Sequence, residues 1–412
     1  MPDFYQHSVV STLHCLKEID LPAQEQKLAE AAEKRPITLV LPALFSEVES
    51  PALPHILSEL KGVPYVKEIV FSMNRMDGDQ FKYARDFFGK SLDSDQDWSI
   101  IWNDGPNVAA LYDDLAETNL TQYVPGKGYN VWMAYGYAIA KGEARIIAAH
   151  DSDILSYDRE MLYRLCLPTV NPSMAYEYAK SYYGRVSDRM YGRVTRLFVG
   201  PLLRAMIKVI GQHPLLEFLE NFRYPLSGEF SIDVDLANLI RIPGDWGLEV
   251  GMLCEIYRSC ATRKVCQVDL GNNFEHKHQH LGYDPAAKAE PIPTKGLTKM
   301  AHDIALNLLH NLTSEGVVIG DSELKAIRLT YERLAKEIIK RHHDDSIFND
   351  LQYFRHEEAE AVEAYYSAFD SASEVYRNRQ YSSALLPNWN RVLSAIPDMG
   401  DRLMQAVADD NS

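Results

Sequence analysis

The chain has no apolar run long enough to span a bilayer, and its opening MPDFYQHSVV lacks the basic flank and oily core of a secretory leader. Nor is it basic. Its 42 Lys and Arg against 58 Asp and Glu leave a formal charge of -16, which excludes nucleic acid or a membrane surface as a partner held by bulk charge. A phosphate-bearing ligand therefore has to meet a local basic pocket or a metal. Cysteine is sparse as well: Cys15, Cys166, Cys254, Cys260 and Cys266 are odd in number and show no C-x-x-C spacing. Neither a disulfide framework nor a zinc ribbon is expected, all five read as buried thiols, and the protein reads as cytoplasmic.

With 46% apolar and 24% charged residues, the 412 residues are expected to fold around a large core. Strand-like runs at ITLVLPAL (37–44), VKEIVFSM (66–73), WSIIWND (98–104) and ARIIAAHD (144–151) alternate with helix-like segments at 51–60, 78–91, 107–118 and 128–142. That rhythm predicts an α/β fold with a mostly parallel sheet and crossover helices. Between 174 and 285 a strand-like MAYEYAKSYY, a helix over about 188–210 broken at Pro201, and a strand-like RKVCQVDLG (263–271) read as an α+β elaboration. AKAEPIPTKG (287–296) reads as a linker. Beyond it Leu324, Ile327, Tyr331, Leu334 and Ile338 form a helical stripe facing either the core or another subunit, and HEEAEAVEAYYSAF (356–369) an acidic amphipathic helix. The expected division is 1–155, 156–290 and a helical 291–412.

Five D-x-D pairs occur, and only Asp151 and Asp153 follow directly on an oily strand, where a parallel sheet delivers polar groups to a ligand crevice. Carboxylates at that spacing hold a hard divalent cation or serve as ordinary loop residues. His276, His278 and His280 alternate in NNFEHKHQH and supply imidazoles for the same metal or for a separate zinc site. Lys127 stands between two glycines before a helix, suited to an anionic ligand or to a plain turn. Arg193 and Thr195 in YGRVTRLFVGPLLR pair a guanidinium fork with a hydroxyl, as a phosphate or carboxylate site requires. YPLSGEFSI (224–232) reads as a loop ending in Glu229, and WGLEVGML places Glu249 in the first turns of a helix; either carboxylate binds sugar hydroxyls or stabilises a helix start.

Taken in order, LVLPAL, PGKG, DSD after a strand, GRVT, PLSGE, WGLEVGML and HKHQ resemble the retaining glucosyl-3-phosphoglycerate synthases and their mannosyl relatives, over residues 37 to about 285. The resemblance implies a GT-A glycosyltransferase, with Mg2+ or Mn2+ as cofactor, a nucleotide diphosphate sugar as donor and 3-phosphoglycerate or glycerate as acceptor. By that resemblance Ala43, Glu47, Lys127, Asp151 and Ser152 contact the donor nucleotide, and Leu226, Ser227, Gly228 and Glu249 line its sugar. Asp153 and His276 hold the metal, while Arg193, Thr195 and His278 serve the acceptor, His278 being also the alternative metal ligand. Phe45-Ser46-Glu47 and Ser227 depart from the family pattern. The implied reaction is hexosyl transfer to the 2-hydroxyl with retention, catalysed with Glu249 and Asp153, and a homodimer making a compatible solute is the expected setting. Two rivals remain at this stage. A sugar-nucleotide pyrophosphorylase needs a glycine-rich basic loop that LPALFSEVES lacks, and a non-catalytic zinc protein would use the three histidines.

Overall fold

The computed structural model describes residues 6, 8–271, 274–275, 280–282, 293–378 and 385–412. Eight strands form one sheet: β1 (Ser11–Leu13), β2 (Ile37–Leu44), β3 (Val66–Asn74), β4 (Trp98–Trp102), β5 (Ile146–Ala149), β6 (Tyr178–Tyr182), β7 (Phe230–Asp233) and β8 (Val265–Asp269), in the order β1-β8-β6-β7-β5-β2-β3-β4. All pairings are parallel except those of β7, which runs against both β5 and β6. The apolar runs behave as expected of strands covered on both faces: Ile37–Ala43 and all of β5 are buried, and a separate apolar core fills each side of the sheet.

The four helices read from the first half occur at Ala52–Leu60, Gly78–Ser91, Pro106–Glu117 and Lys127–Lys141. Gly78–Ser91 begins where Asp77 and Gln80 close a capping box. Three readings are corrected. Phe230–Ile232, read as loop, belongs to β7, whose four residues are too short to alternate visibly. Cys15 is exposed, and the other four thiols are buried. The helix expected from 188 opens only after Arg193, and Pro201 does not break it. A π-helical stretch, Val194–Val199, runs into Gly200–Ile210, with the Gly200 N–H donating to Thr195. Pro201 cannot donate to the Leu197 carbonyl, and the Tyr331 hydroxyl does so instead, at 3.1 Å.

Tyr331 belongs to the stripe on the helix Asp321–Phe348, where Leu324, Ile327, Tyr331 and Leu334 are buried and Ile338 partly so. The stripe is thus used inside the chain, against Gly200–Ile210 and the helix Arg355–Arg377. Further on, the chain returns to the sheet. Trp389 stacks on Trp132 at 4.7 Å and donates to its carbonyl, and its ring fills the space where a side chain on Gly136 would lie. The side-chain amide of Asn411 both accepts from and donates to the backbone of Ile100 on the edge strand β4. Among the described residues no helix is long and apolar enough to cross a membrane.

Two stability outcomes follow. Trp389→Ala removes a buried indole from the seam between Lys127–Lys141 and the last helices, and should cost about 3–5 kcal/mol; a loss under about 1 kcal/mol on denaturant titration would mean the seam collapses onto the gap. His150, after β5, is wholly buried with neither ring nitrogen partnered among the described residues, and burial pushes its pKa down to about 3. A depressed folded pKa means the unfolded chain binds the proton first, so this stability is present above about 6.5 and is lost as pH falls towards 3. The denaturation midpoints of the native chain and His150→Gln should converge as pH falls from 6.5 to 4.5, and parallel pH curves would refute the buried neutral imidazole.

Candidate active site

β5 delivers Asp151, Ser152 and Asp153 to the carboxyl end of the parallel strands, where such sheets bind ligands. Ala149 pairs with Phe230 on β7, and the same antiparallel register carried outward sets Asp151 against Gly228. The approach is close: a β-carbon on Gly228 would lie 2.3 Å from Asp151 Oδ2, so only glycine leaves room for the carboxylate. The turn holding Gly228 is pinned from below, because the Ser227 hydroxyl donates to the Ser181 carbonyl at 2.8 Å and the Lys180 ammonium donates to the Ser227 carbonyl at 2.6 Å. Leu226 packs partly buried against the core. The Ser152 hydroxyl is likewise turned inward, onto the Pro42 carbonyl at 2.9 Å.

Lys127 is the first residue of its helix, after an extended Gly126. Gly128 lets that helix start press on Pro243 and Gly244, where a β-carbon would come within 2.4 Å of the Pro243 carbonyl. This seats the Lys127 ammonium 2.6 Å from Asp151 Oδ1 and 3.0 Å from Glu249 Oε1. Glu249 stands in the first turn of Leu248–Ser259, where the helix dipole also favours a carboxylate. Burial works against the Lys127 charge, but Asp151 and then Glu249 hold its pKa above the usual lysine range.

The cluster carries more negative than positive charge. Asp153 is pushed up to about 7 by burial and by Asp151, Glu47 and Glu229, against the pull of Lys127. Glu229 is fully buried and is also pushed up to about 7, by burial first and Asp151 next. Glu47 is buried in the short helix Phe45–Val48, and the Ala43 carbonyl at the end of β2 lies 3.5 Å from the Asn130 amide. Oxygen donors with surplus charge are the chemistry a hard divalent cation requires. Among the described residues no three potential ligands converge on one point. His276 and His278 lie outside the described residues. The chain just before them is tied to the loop that follows Asp153: Glu275 accepts from the Leu155 N–H at 2.7 Å and donates to Ser156 Oγ at 2.9 Å. His280 is exposed.

Arg193 and Thr195 lie where the Arg185–Gly192 loop enters the π-helical stretch. Gly192, at φ +71, rests against the Tyr224 hydroxyl, and Tyr224 accepts from the Ser227 N–H, so this loop abuts the turn holding Gly228. Among the described residues the buried Thr195 hydroxyl has no partner and no carboxylate pairs with Arg193, whereas Arg189 and Arg196 each have one. An arginine with no carboxylate partner among the described residues, whose charge acts on the buried Tyr365 hydroxyl, keeps its fork for an anion. Sequence reasoning missed Lys180, although a lysine inside MAYEYAKSYY was its signal. It is wholly buried, and burial lowers its pKa to about 8 against the opposing pull of Glu249 and Glu229. It also missed Asn74 and Asn130, whose buried side-chain oxygens have no partner.

No family model matches the chain. Curated relatives do. The glucosyl-3-phosphoglycerate synthase of Persephonella marina is 39% identical over 412 residues, all of both chains. That of Methanococcoides burtonii is 37% identical over 418 residues, covering 99% of this chain and 98% of the relative. Among solved structures, glucosyl-3-phosphoglycerate synthase from Mycobacterium tuberculosis in complex with Mg2+ and uridine diphosphate matches with a TM-score of 0.52 at 20% identity, over 76% of this chain and 89% of that one. The same enzyme with Mn2+, uridine-diphosphate-glucose and phosphoglyceric acid gives 0.52 at 21% identity over the same shares. This likeness establishes the GT-A fold with its C-terminal helices. Given the identity along its whole length, the chain belongs to the glucosyl-3-phosphoglycerate synthase family of glucosyltransferases.

Proposed function

We propose that the protein transfers glucose from UDP-glucose to the 2-hydroxyl of 3-phosphoglycerate, with retention of anomeric configuration and with a divalent cation. The observation that carries this reading is the Lys127 ammonium shared between Asp151 and Glu249 at the strand ends, with the loop before Arg193 abutting the turn that holds Gly228. The relatives' names support glucosyl transfer to phosphoglycerate, and the Mycobacterium tuberculosis enzyme was crystallised with Mn2+, the donor and the acceptor.

Each residue then has a task. Asp151 and the main chain of Ser152 receive the nucleotide with Ala43 and Glu47. Lys127 offers its charge to the diphosphate, and the pinned turn Leu226–Gly228 forms the floor of the sugar pocket. Glu249 orients the hexose and offsets positive charge as the anomeric bond stretches. Asp153, with His276, would hold the cation, which when bound balances the charge of the departing diphosphate. Arg193 and Thr195 grip the acceptor phosphate and set its 2-hydroxyl on the leaving-group face. The bond from the anomeric carbon to the diphosphate breaks as the bond to the acceptor oxygen forms, and the hydroxyl proton passes to the diphosphate, so no separate base is required. A glycine-rich basic loop, which a pyrophosphorylase would need after its first strand, is replaced here by the helix Phe45–Val48. A homodimer has to use faces other than the buried Leu324 stripe.

Incubation with UDP-glucose and 3-phosphoglycerate should yield the retained glucoside, in preference to GDP-mannose or free glycerate, and UDP release without that product would refute the assignment. Asp153→Ala should reduce Mn2+-dependent transfer about 100- to 1000-fold with the fold unchanged by circular dichroism; near-native turnover would remove Asp153 from the metal site. Arg193→Ala should raise KM for 3-phosphoglycerate about 10- to 100-fold and leave KM for UDP-glucose within about twofold, and equal shifts in both would take Arg193 out of the acceptor site.

A further inference from the structure

The loop that carries Arg193 is not held by its own half of the chain alone. The Arg196 guanidinium, on the first turn after Arg193, donates through Nε to the Tyr191 carbonyl at 2.8 Å and through Nη2 to the Met190 carbonyl at 3.1 Å. Its other contacts are bidentate: Nη1 and Nη2 reach the two carboxylate oxygens of Glu358 at 2.8 and 2.9 Å. Both side chains are nearly buried, at 13% and 9% exposure, which makes this pair selective for geometry as well as charge. Glu358 belongs to Arg355–Arg377, in the helical region beyond residue 290.

Neighbouring residues of that region hold the rest of the loop. The Gln352 N–H donates to the Asp188 carbonyl at 3.0 Å, Glu357 pairs with Arg189 at 3.1 Å, and the Arg189 guanidinium lies over the rings of Tyr191 and Phe354. Four attachments from residues 352–358 thus fix 188–191, immediately before Arg193, which has no carboxylate partner among the described residues.

We propose that this C-terminal segment sets the acceptor site, with Glu358, acting through Arg196, as a positioning residue for the acceptor phosphate; the inference rests on Arg193 and Thr195 being that phosphate's site. The Arg196 fork is taken up by Glu358 and the two loop carbonyls, so the pair acts through the loop. Glu358 holds the Arg196 fork at an angle where its remaining N–H groups fix the two carbonyls, and those carbonyls fix the direction of the Arg193 side chain. Specificity for a phosphorylated acceptor is thereby built partly from a helix of the C-terminal region.

The test uses the full-length protein with Arg196→Met and Glu358→Leu combined, which removes the fork without stranding a buried charge, and Glu358→Gln as the milder variant. Donor binding is measured directly with UDP-glucose, acceptor affinity from KM for 3-phosphoglycerate, and loop order from hydrogen exchange at residues 188–192. The expected result is a 10- to 100-fold rise in acceptor KM, roughly the cost of misaiming a binding group by an ångström. Donor binding should stay within twofold, exchange in the loop should quicken, and Glu358→Gln should show a smaller rise. Unchanged acceptor KM in the folded double variant overturns the proposal, as does a parallel loss of donor and acceptor affinity. If the double variant does not fold, the half-buried pair decides: Arg189→Ala with Glu357→Ala should raise acceptor KM severalfold, and no rise refutes the buttress. A native protein that transfers nothing to 3-phosphoglycerate would instead refute the proposed function, which separates the two failures.

Discussion

A single ammonium group ties the site together. Lys127 joins the end of β5, through Asp151, to the start of Leu248–Ser259, through Glu249. Without that cation, two carboxylates from elements far apart in sequence would face each other at the mouth of the crevice, and their repulsion would splay the strand end from the helix start. Everything nearby conforms to that bridge. Gly128 allows the helix bearing Lys127 to come close enough, and Gly228 leaves the far side of Asp151 clear. The site is built from close backbone approaches first and side-chain chemistry second.

Even so, one lysine does not neutralise the cluster. Burial together with like charge raises the Asp153 and Glu229 pKa values above the usual carboxylate range, which marks a site arranged to receive positive charge from outside the chain. Lys180 answers a different need. Its charge is directed at the Ser227 carbonyl beneath the turn holding Gly228, so a buried cation there serves rigidity, and its lowered pKa is the cost of that burial.

Much of this was legible from residue order, for physical reasons. Runs such as ITLVL and RIIAA announce strands covered on both faces, and the position of Asp151 and Asp153 after one of them separated that pair from four incidental D-x-D matches. The apolar stripe through Tyr331 was visible, but its partner was not, since periodicity reports a buried face without naming what buries it. β7 escaped notice because four residues following a turn carry too little pattern. Pro201 misled because the hydrogen bond it cannot donate is replaced by a tyrosine from a distant helix. The Arg196 and Glu358 pair, 162 positions apart, has no local signature at all.

The Asn411 amide on Ile100 bears on how the molecule behaves in company. Among the described residues no strand lies beyond β4, and an open edge offers its N–H and carbonyl groups to any passing chain. One primary amide supplies both a donor and an acceptor, so a single side chain imitates the next strand at Ile100, while the helix Met399–Asn411 covers the surface beside it. Displacing that helix would turn the edge of the sheet into a template for self-association and would at the same time uncover a side of the helix that carries Lys127, so solubility and the crevice depend on the same few turns.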